Sequence, residues 1–192
     1  MEVIRKSGQE EFYIGSDKQE FRLSDFWQWS QSDILNNTLR GALAEFIVCK
    51  ALGVELSVRV DWDAFDVAYQ HVKIEVKSSA YIQSWFKGKH SKISFDIAPK
   101  RVFCYETNCY SADVKRQSDL YVFCLLEHKE KDSVNPLNLE QWKFYVLPTS
   151  VLNEKAEHQK SITLNSLLTL NPVACRFSEL KPIVDELTTH NE

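Results

Sequence analysis

Glycine and proline are scarce in this chain of 192 residues, with five of each. Long flexible linkers and proline-rich segments are thereby excluded, and most of the chain belongs in regular elements. Long apolar runs are missing as well. The longest, Leu120 to Leu126, has seven residues, against the roughly 18 that would read as a membrane-spanning helix. The N-terminus has no apolar stretch of the secretory type, so no leader is expected. The five cysteines are odd in number and contain no C-x-x-C pair, which argues against a disulfide framework and a cysteine-paired zinc site. Neither G-x-x-x-x-G-K-[ST] nor G-x-G-x-x-G occurs, so no nucleotide-driven motor is encoded. The expectation is a cytoplasmic protein of a reducing compartment, without membrane contact.

Apolar residues make up 44% and charged residues 26% of the chain, ordinary globular usage. Length suggests a single domain over 1–192, with its core at about 30–128 and a C-terminal strand and helices, 129–192, packed on it. Net charge is −4 but unevenly spread. Residues 72–101 carry seven basic side chains against two acidic, so this stretch is +5 in a chain that is −9 elsewhere. A basic surface on an acidic body can focus a polyanion onto one site; a solvated lysine-rich loop is the alternative.

Periodicity predicts a helix from about Ser32 to Leu52, capped at its start by Ser32 or Asp33 and followed by Gly53. It is apolar nearly all round, as a buried helix is. Alternating segments at 64–69, 72–78 and 93–97 read as strands, and 119–127 as a strand buried on both faces. Short strand character is expected at 58–60, helical turns within 102–117, a strand at 142–147, and helices near 150–154 and 179–187. Residues 1–23 look irregular, with one short strand at most. The pattern is that of an α+β or mixed α/β fold on one sheet.

The chemistry lies in AFDVAYQHVKIEVK. On the strand from Val72, Lys73, Glu75 and Lys77 share one face, and Val72, Ile74 and Val76 the other. A reversal centred on Gln70 and His71 places Asp66 opposite Glu75 on an antiparallel ladder. Like charges in directly opposed positions repel, unless a hard divalent cation lies between them and takes their oxygens as ligands. The Val76 carbonyl is a further oxygen candidate. Lys77, two residues on, stands where an ammonium can hold a water or a phosphate oxygen. These are the parts of a metal-assisted phosphodiesterase. Glu45, mid-helix among apolar neighbours, needs a partner of its own: Arg40, a lysine, or the metal site.

From Arg40–Gly53 (RGALAEFIVCKALG) through Phe65–Asp66 to Ile74–Trp85 (IEVKSSAYIQSW) and Ser118–Leu126 (SDLYVFCLL), the chain resembles the PD-(D/E)XK nuclease superfamily. The resemblance implies a restriction-endonuclease-like core in αβββαβ order, a central mixed sheet flanked by helices. It implies that Asp66 and Glu75 hold Mg²⁺ (Mn²⁺ substituting), that Lys77 is catalytic, and that Glu45 is the helix acid. Gln83 matches a polar residue that contacts the scissile phosphate or nearby DNA. Phe65 stands where the superfamily name has proline. The implied activity is Mg²⁺-dependent hydrolysis of DNA, by an endonuclease. The alternative is a catalytically inactive module that keeps the fold to bind DNA or a partner. Lys87, Lys89, Lys92, Lys100 and Arg101 are expected to contact DNA phosphates, and Trp85 and Trp62 to stack on bases or pack. A homodimer placing one site on each strand, or an accessory protein for substrate recognition, would complete the assembly.

Overall fold

A computed structural model describes residues 3–59, 64–101, 103–104 and 108–189. The chain opens with a hairpin, β1 (Glu11–Ile14) and β2 (Asp17–Arg22), followed by α1 (Leu23–Gln31) and α2 (Asn37–Leu52). Next come β3 (Val67–Tyr69), β4 (Val72–Ala80) and β5 (Ser94–Asp96). A two-stranded arm, β6 (Phe103–Cys104) and β7 (Cys109–Tyr110), precedes β8 (Leu120–Leu126) and β9 (Trp142–Pro148). The last elements are α3 (Thr149–Lys155), β10 (Ser161–Thr163), α4 (Leu164–Leu168), β11 (Val173–Cys175) and α5 (Leu180–Thr189).

The main sheet is mixed, in the order β11-β9-β8-β4-β3. Only the β4–β8 pair is parallel, and the chain between them makes the long crossover that a parallel pair requires. β8 is central and buried along its whole length, which is why it reads as an uninterrupted apolar run. Its two faces feed two cores. Val72, Ile74 and Val76 of β4 join Val122 and Cys124 against α2 and α5. Tyr121, Phe123 and Leu125 pack on the other side with Phe95 of β5, Ile162 of β10, Leu152 of α3 and Leu167 of α4. The expected mixed α/β fold, a central sheet flanked by helices, is the one observed.

Several local expectations are corrected. α2 starts at Asn37, because Asn36 and not Ser32 or Asp33 caps it, its side chain accepting from the Leu39 N–H at 2.9 Å. Gly53 does terminate it, in the left-handed conformation at φ +73° that glycine adopts without a Cβ penalty. The N-terminal segment is a hairpin and a helix, and α1 has no buried residue. The helical turns expected within 102–117 are replaced, among the described residues, by the β6–β7 arm. Its base is closed by Lys100 and Lys115, which exchange backbone hydrogen bonds of 3.0 and 3.2 Å. Buried Arg116 anchors that base, donating to the carbonyls of Ile97 (2.9 Å) and Ala156 (2.8 Å) and to Asn153 Oδ1 (2.9 Å). The third strand of the expected αβββαβ order, β5, lies outside the main sheet and pairs with β10. No described helix is long and apolar enough to cross a membrane, and Cys49, Cys109, Cys124 and Cys175 are free thiols.

Candidate active site

The register of β3 on β4 fixes the site. Tyr69 faces Val72, Ala68 faces Lys73 and Val67 faces Ile74, with Gln70 in the left-handed conformation (φ +52°) at the reversal. This is the pairing the alternating pattern predicts for these three pairs; one residue before β3 the register shifts, and the Asp66 N–H donates to the carbonyl of Ile74, the partner of Val67, at 3.1 Å. Beyond that point the Asp66 side chain takes over from the backbone. Its Oδ2 accepts the Val76 N–H at 2.7 Å, where a longer β3 would have offered a carbonyl. The N–H and C=O of one strand residue leave on the same edge, so the Val76 carbonyl projects toward Asp66 as well.

Because β3 is only three residues long, the edge of β4 opens into a cleft of about 1040 Å³. Glu45 from α2, Asp66 from the hairpin, and Glu75 and Lys77 from β4 all line it, with Lys100 and Arg101 from the root of the arm. Lys77 Nζ donates to Glu75 Oε1 at 2.5 Å, and Lys100 Nζ lies 3.8 Å from the same oxygen and 3.7 Å from Asp96 Oδ2. Glu45 pairs with neither Arg40 nor a lysine. Its carboxylate accepts from Arg59, Nε to Oε2 at 2.6 Å and Nη2 to Oε1 at 2.9 Å.

Electrostatics mark Asp66 as the frustrated member. Its residue surface is open to the cleft, yet the carboxyl sits low among protein atoms. Loss of hydration raises its pKa to about 6, helped by the charge of Glu75 and, to a lesser degree, of Glu45. Lys77 and the Val76 N–H pull the other way without prevailing. Lys77 loses hydration too, but Glu75 and Asp66 more than compensate, so its ammonium is held above the ordinary lysine range. Two carboxylates that line one cleft and repel each other suit a hard cation. Among the described residues no three His, Cys, Asp or Glu side chains form a metal cage. Mg²⁺ does not need one, since it keeps several waters and takes one or two carboxylates.

Other expected residues lie elsewhere. Gln83 is buried (7% exposed); its carbonyl oxygen accepts from Arg40 Nη1 and its amide donates to the Ala80 carbonyl at 3.2 Å. It therefore joins the interior network of Arg40, whose guanidinium also donates to Ser78 Oγ, the Leu35 carbonyl and Asn37 Oδ1. Burial without a carboxylate pulls Arg40 down to about 10. Trp85, Lys87, Lys89 and Lys92 are exposed and do not line the cleft, and Trp62 lies outside the described residues. Sequence reasoning missed Arg5 and Arg59 and the aromatic walls Phe46, Phe103 and Tyr110. No spacing rule points to them, because they arrive from the N-terminal segment, α2, the extended run after it and the arm.

A cleft lined by Asp66, Glu75, Lys77, Lys100 and Arg101 on an α/β sheet combines acidic and cationic groups of the kind that handle phosphodiesters. The family model for bacteriophage T4 endonuclease IV matches residues 16–166, which is 151 of the 192 residues and includes every cleft element named above except Arg5. The chain belongs to that family, and so to a family of nucleases. No curated protein and no solved structure matches it.

Proposed function

We propose that the protein is a Mg²⁺-dependent DNA endonuclease of the PD-(D/E)XK type, with its active site in the β3–β4 cleft. The observation that carries this reading is that Asp66, Glu75 and Lys77 line one cleft, with the Asp66 carboxylate hydrogen-bonded to the Val76 N–H between the two β4 residues. Asp66, Glu75 and the Val76 carbonyl hold the metal. When bound, Mg²⁺ supplies a Lewis acid for the phosphate and a means of activating water. Lys77, already fixed by Glu75, presents its ammonium where negative charge develops on the transferring phosphate. Lys100 and Arg101 bind the neighbouring backbone. Glu45 completes the acidic lining, and Gln83 acts by holding Arg40 and not on the phosphate.

The test is cleavage of supercoiled plasmid and of labelled duplex, branched and single-stranded oligonucleotides in Mg²⁺ or Mn²⁺, with thermal melting in parallel. Cutting that EDTA abolishes, together with a melting temperature raised by the metal and unmoved by it in Asp66→Ala, supports the reading. A wild-type protein that binds DNA, cuts none of these substrates and melts alike with and without metal is instead the inactive binding module.

A further inference from the structure

Arg59 emerges as a cleft residue with no role in the reading above. The chain turns back after α2 at Gly53 and runs extended, with Val54, Leu56 and Val58 half-buried and Glu55, Ser57 and Arg59 outward. Val54 and Leu56 pack against the α2 core, so this alternation sets where the Arg59 guanidinium can reach. It reaches Glu45, 14 residues back, through two parallel hydrogen bonds. The Nε–Nη2 edge of a guanidinium meets carboxylate and phosphate with the same fork geometry. The two partners are unequally placed: the Arg59 side chain is 49% exposed and that of Glu45 only 16%. An incoming anion therefore meets the arginine first.

We propose that Arg59 is the phosphate-binding residue on the α2 side of the cleft, and that Glu45 holds it until a phosphodiester displaces the carboxylate. Lys100 and Arg101 face the same space from the arm, so a nucleic-acid backbone entering the cleft meets cations on both walls. Lys77 is enclosed and committed to Glu75, and Lys87, Lys89 and Lys92 are outside the cleft. Arg59 is thus the accessible cation nearest the helix acid. The exchange of one anion for another needs no metal. The inference rests on the nucleic-acid substrate of the proposed function, but not on its chemistry.

The experiment is fluorescence anisotropy of a short fluorescein-labelled oligonucleotide, single-stranded and as its duplex, titrated in EDTA over a range of salt. Wild type, Arg59→Ala, Glu45→Gln and the double variant are compared, each checked for folding by its melting curve. Arg59→Ala should weaken binding about fivefold to tenfold at moderate salt and reduce the slope of log K against log salt by about 0.7–0.9, the loss of one phosphate contact. Glu45→Gln should tighten binding severalfold by removing the carboxylate charge that competes with the phosphate for Arg59. The double variant should match Arg59→Ala, because the gain depends on the arginine. Affinities that ignore both substitutions while the melting temperature falls would make the pair purely structural and overturn the inference. Glu45→Gln tightening equally in the Arg59→Ala background would do so too, as would a wild type that binds neither DNA. Should Arg59→Ala not fold, an unchanged affinity in Glu45→Gln is the overturning result. A wild type that binds in EDTA but never cuts with metal sinks the nuclease reading, and the same binding curves still decide on Arg59.

Discussion

Lys77 and Asp66 line one cleft, and the proposed mechanism gives them different roles. The Lys77 ammonium is held above its ordinary range by Glu75 and Asp66, so it is charged at every working pH. In the proposed mechanism its removal matters most when charge builds on the transferring phosphate. Lys77→Ala should therefore lower turnover by about a hundredfold to a thousandfold, with DNA affinity in Ca²⁺ changed far less, as single-turnover cleavage and binding curves would show. Asp66 behaves differently because its folded pKa, about 6, exceeds the ordinary 3.8. A raised carboxyl favours the folded state fully below the unfolded value and loses that contribution as pH rises through the folded one. Asp66→Asn, which keeps an acceptor for the Val76 N–H, should melt like wild type below about pH 4 and above it at pH 7–8 without metal. Solvent in the cleft screens the repulsion, so the gain is about 1–2 °C. Saturating Mg²⁺ should close the gap by stabilising wild type alone. Metal affinity of wild type should fall as pH drops through about 6, because the ligand must be deprotonated.

Among the elements, the β3–β4 register is legible in the sequence and the setting of Gln83 is not. β3 and β4 alternate with period two and are joined by a two-residue reversal, so their register from Val67 to Ile74 is legible from the sequence alone, whereas the shift at Asp66 is not. β8 is legible for the opposite reason, being apolar throughout. The start of α2 is not, because Ser32, Asp33, Asn36 and Asn37 are all good caps and only the fold selects among them. Gln83 follows the same strand as Lys77 at a spacing that suggests substrate contact, yet the turn after β4 folds it inward to Arg40. Its polarity serves a buried cation. Replacing it should cost stability and not chemistry: Gln83→Leu leaves the guanidinium short of an acceptor, at about 1–3 kcal/mol. Denaturant melts should register that loss, while turnover per folded molecule stays near wild type. A variant as stable as wild type but dead in cleavage would return Gln83 to the site.

Across the whole molecule, the charge imbalance visible in the sequence is real but splits in space. Residues 72–101 are +5 by count; Lys73 lies over the Phe65 ring, and the other six basic residues fall in two places. Lys77, Lys100 and Arg101 border the cleft, whereas Lys87, Lys89 and Lys92 stand exposed away from it. The division follows from the topology: β5 departs to pair with β10, and the arm rooted at Lys100 and Lys115 brings its cations back over the β4 edge. Composition can report a basic stretch, but only the path of the chain says which part of it meets a phosphate. Phosphate contacts reveal themselves through counterion release, each one steepening the salt dependence of binding. Lys100→Ala with Arg101→Ala should therefore flatten the slope of log K against log salt by roughly 1.5–2 on duplex DNA and weaken binding at moderate salt by more than tenfold. Lys87→Ala, Lys89→Ala and Lys92→Ala together remove more charge but no cleft contact, and should change the slope by less than about 1 through the long-range field alone. If the triple variant loses more affinity and more slope than the double, DNA runs along the 85–92 turn, and the cleft is reached from that side instead.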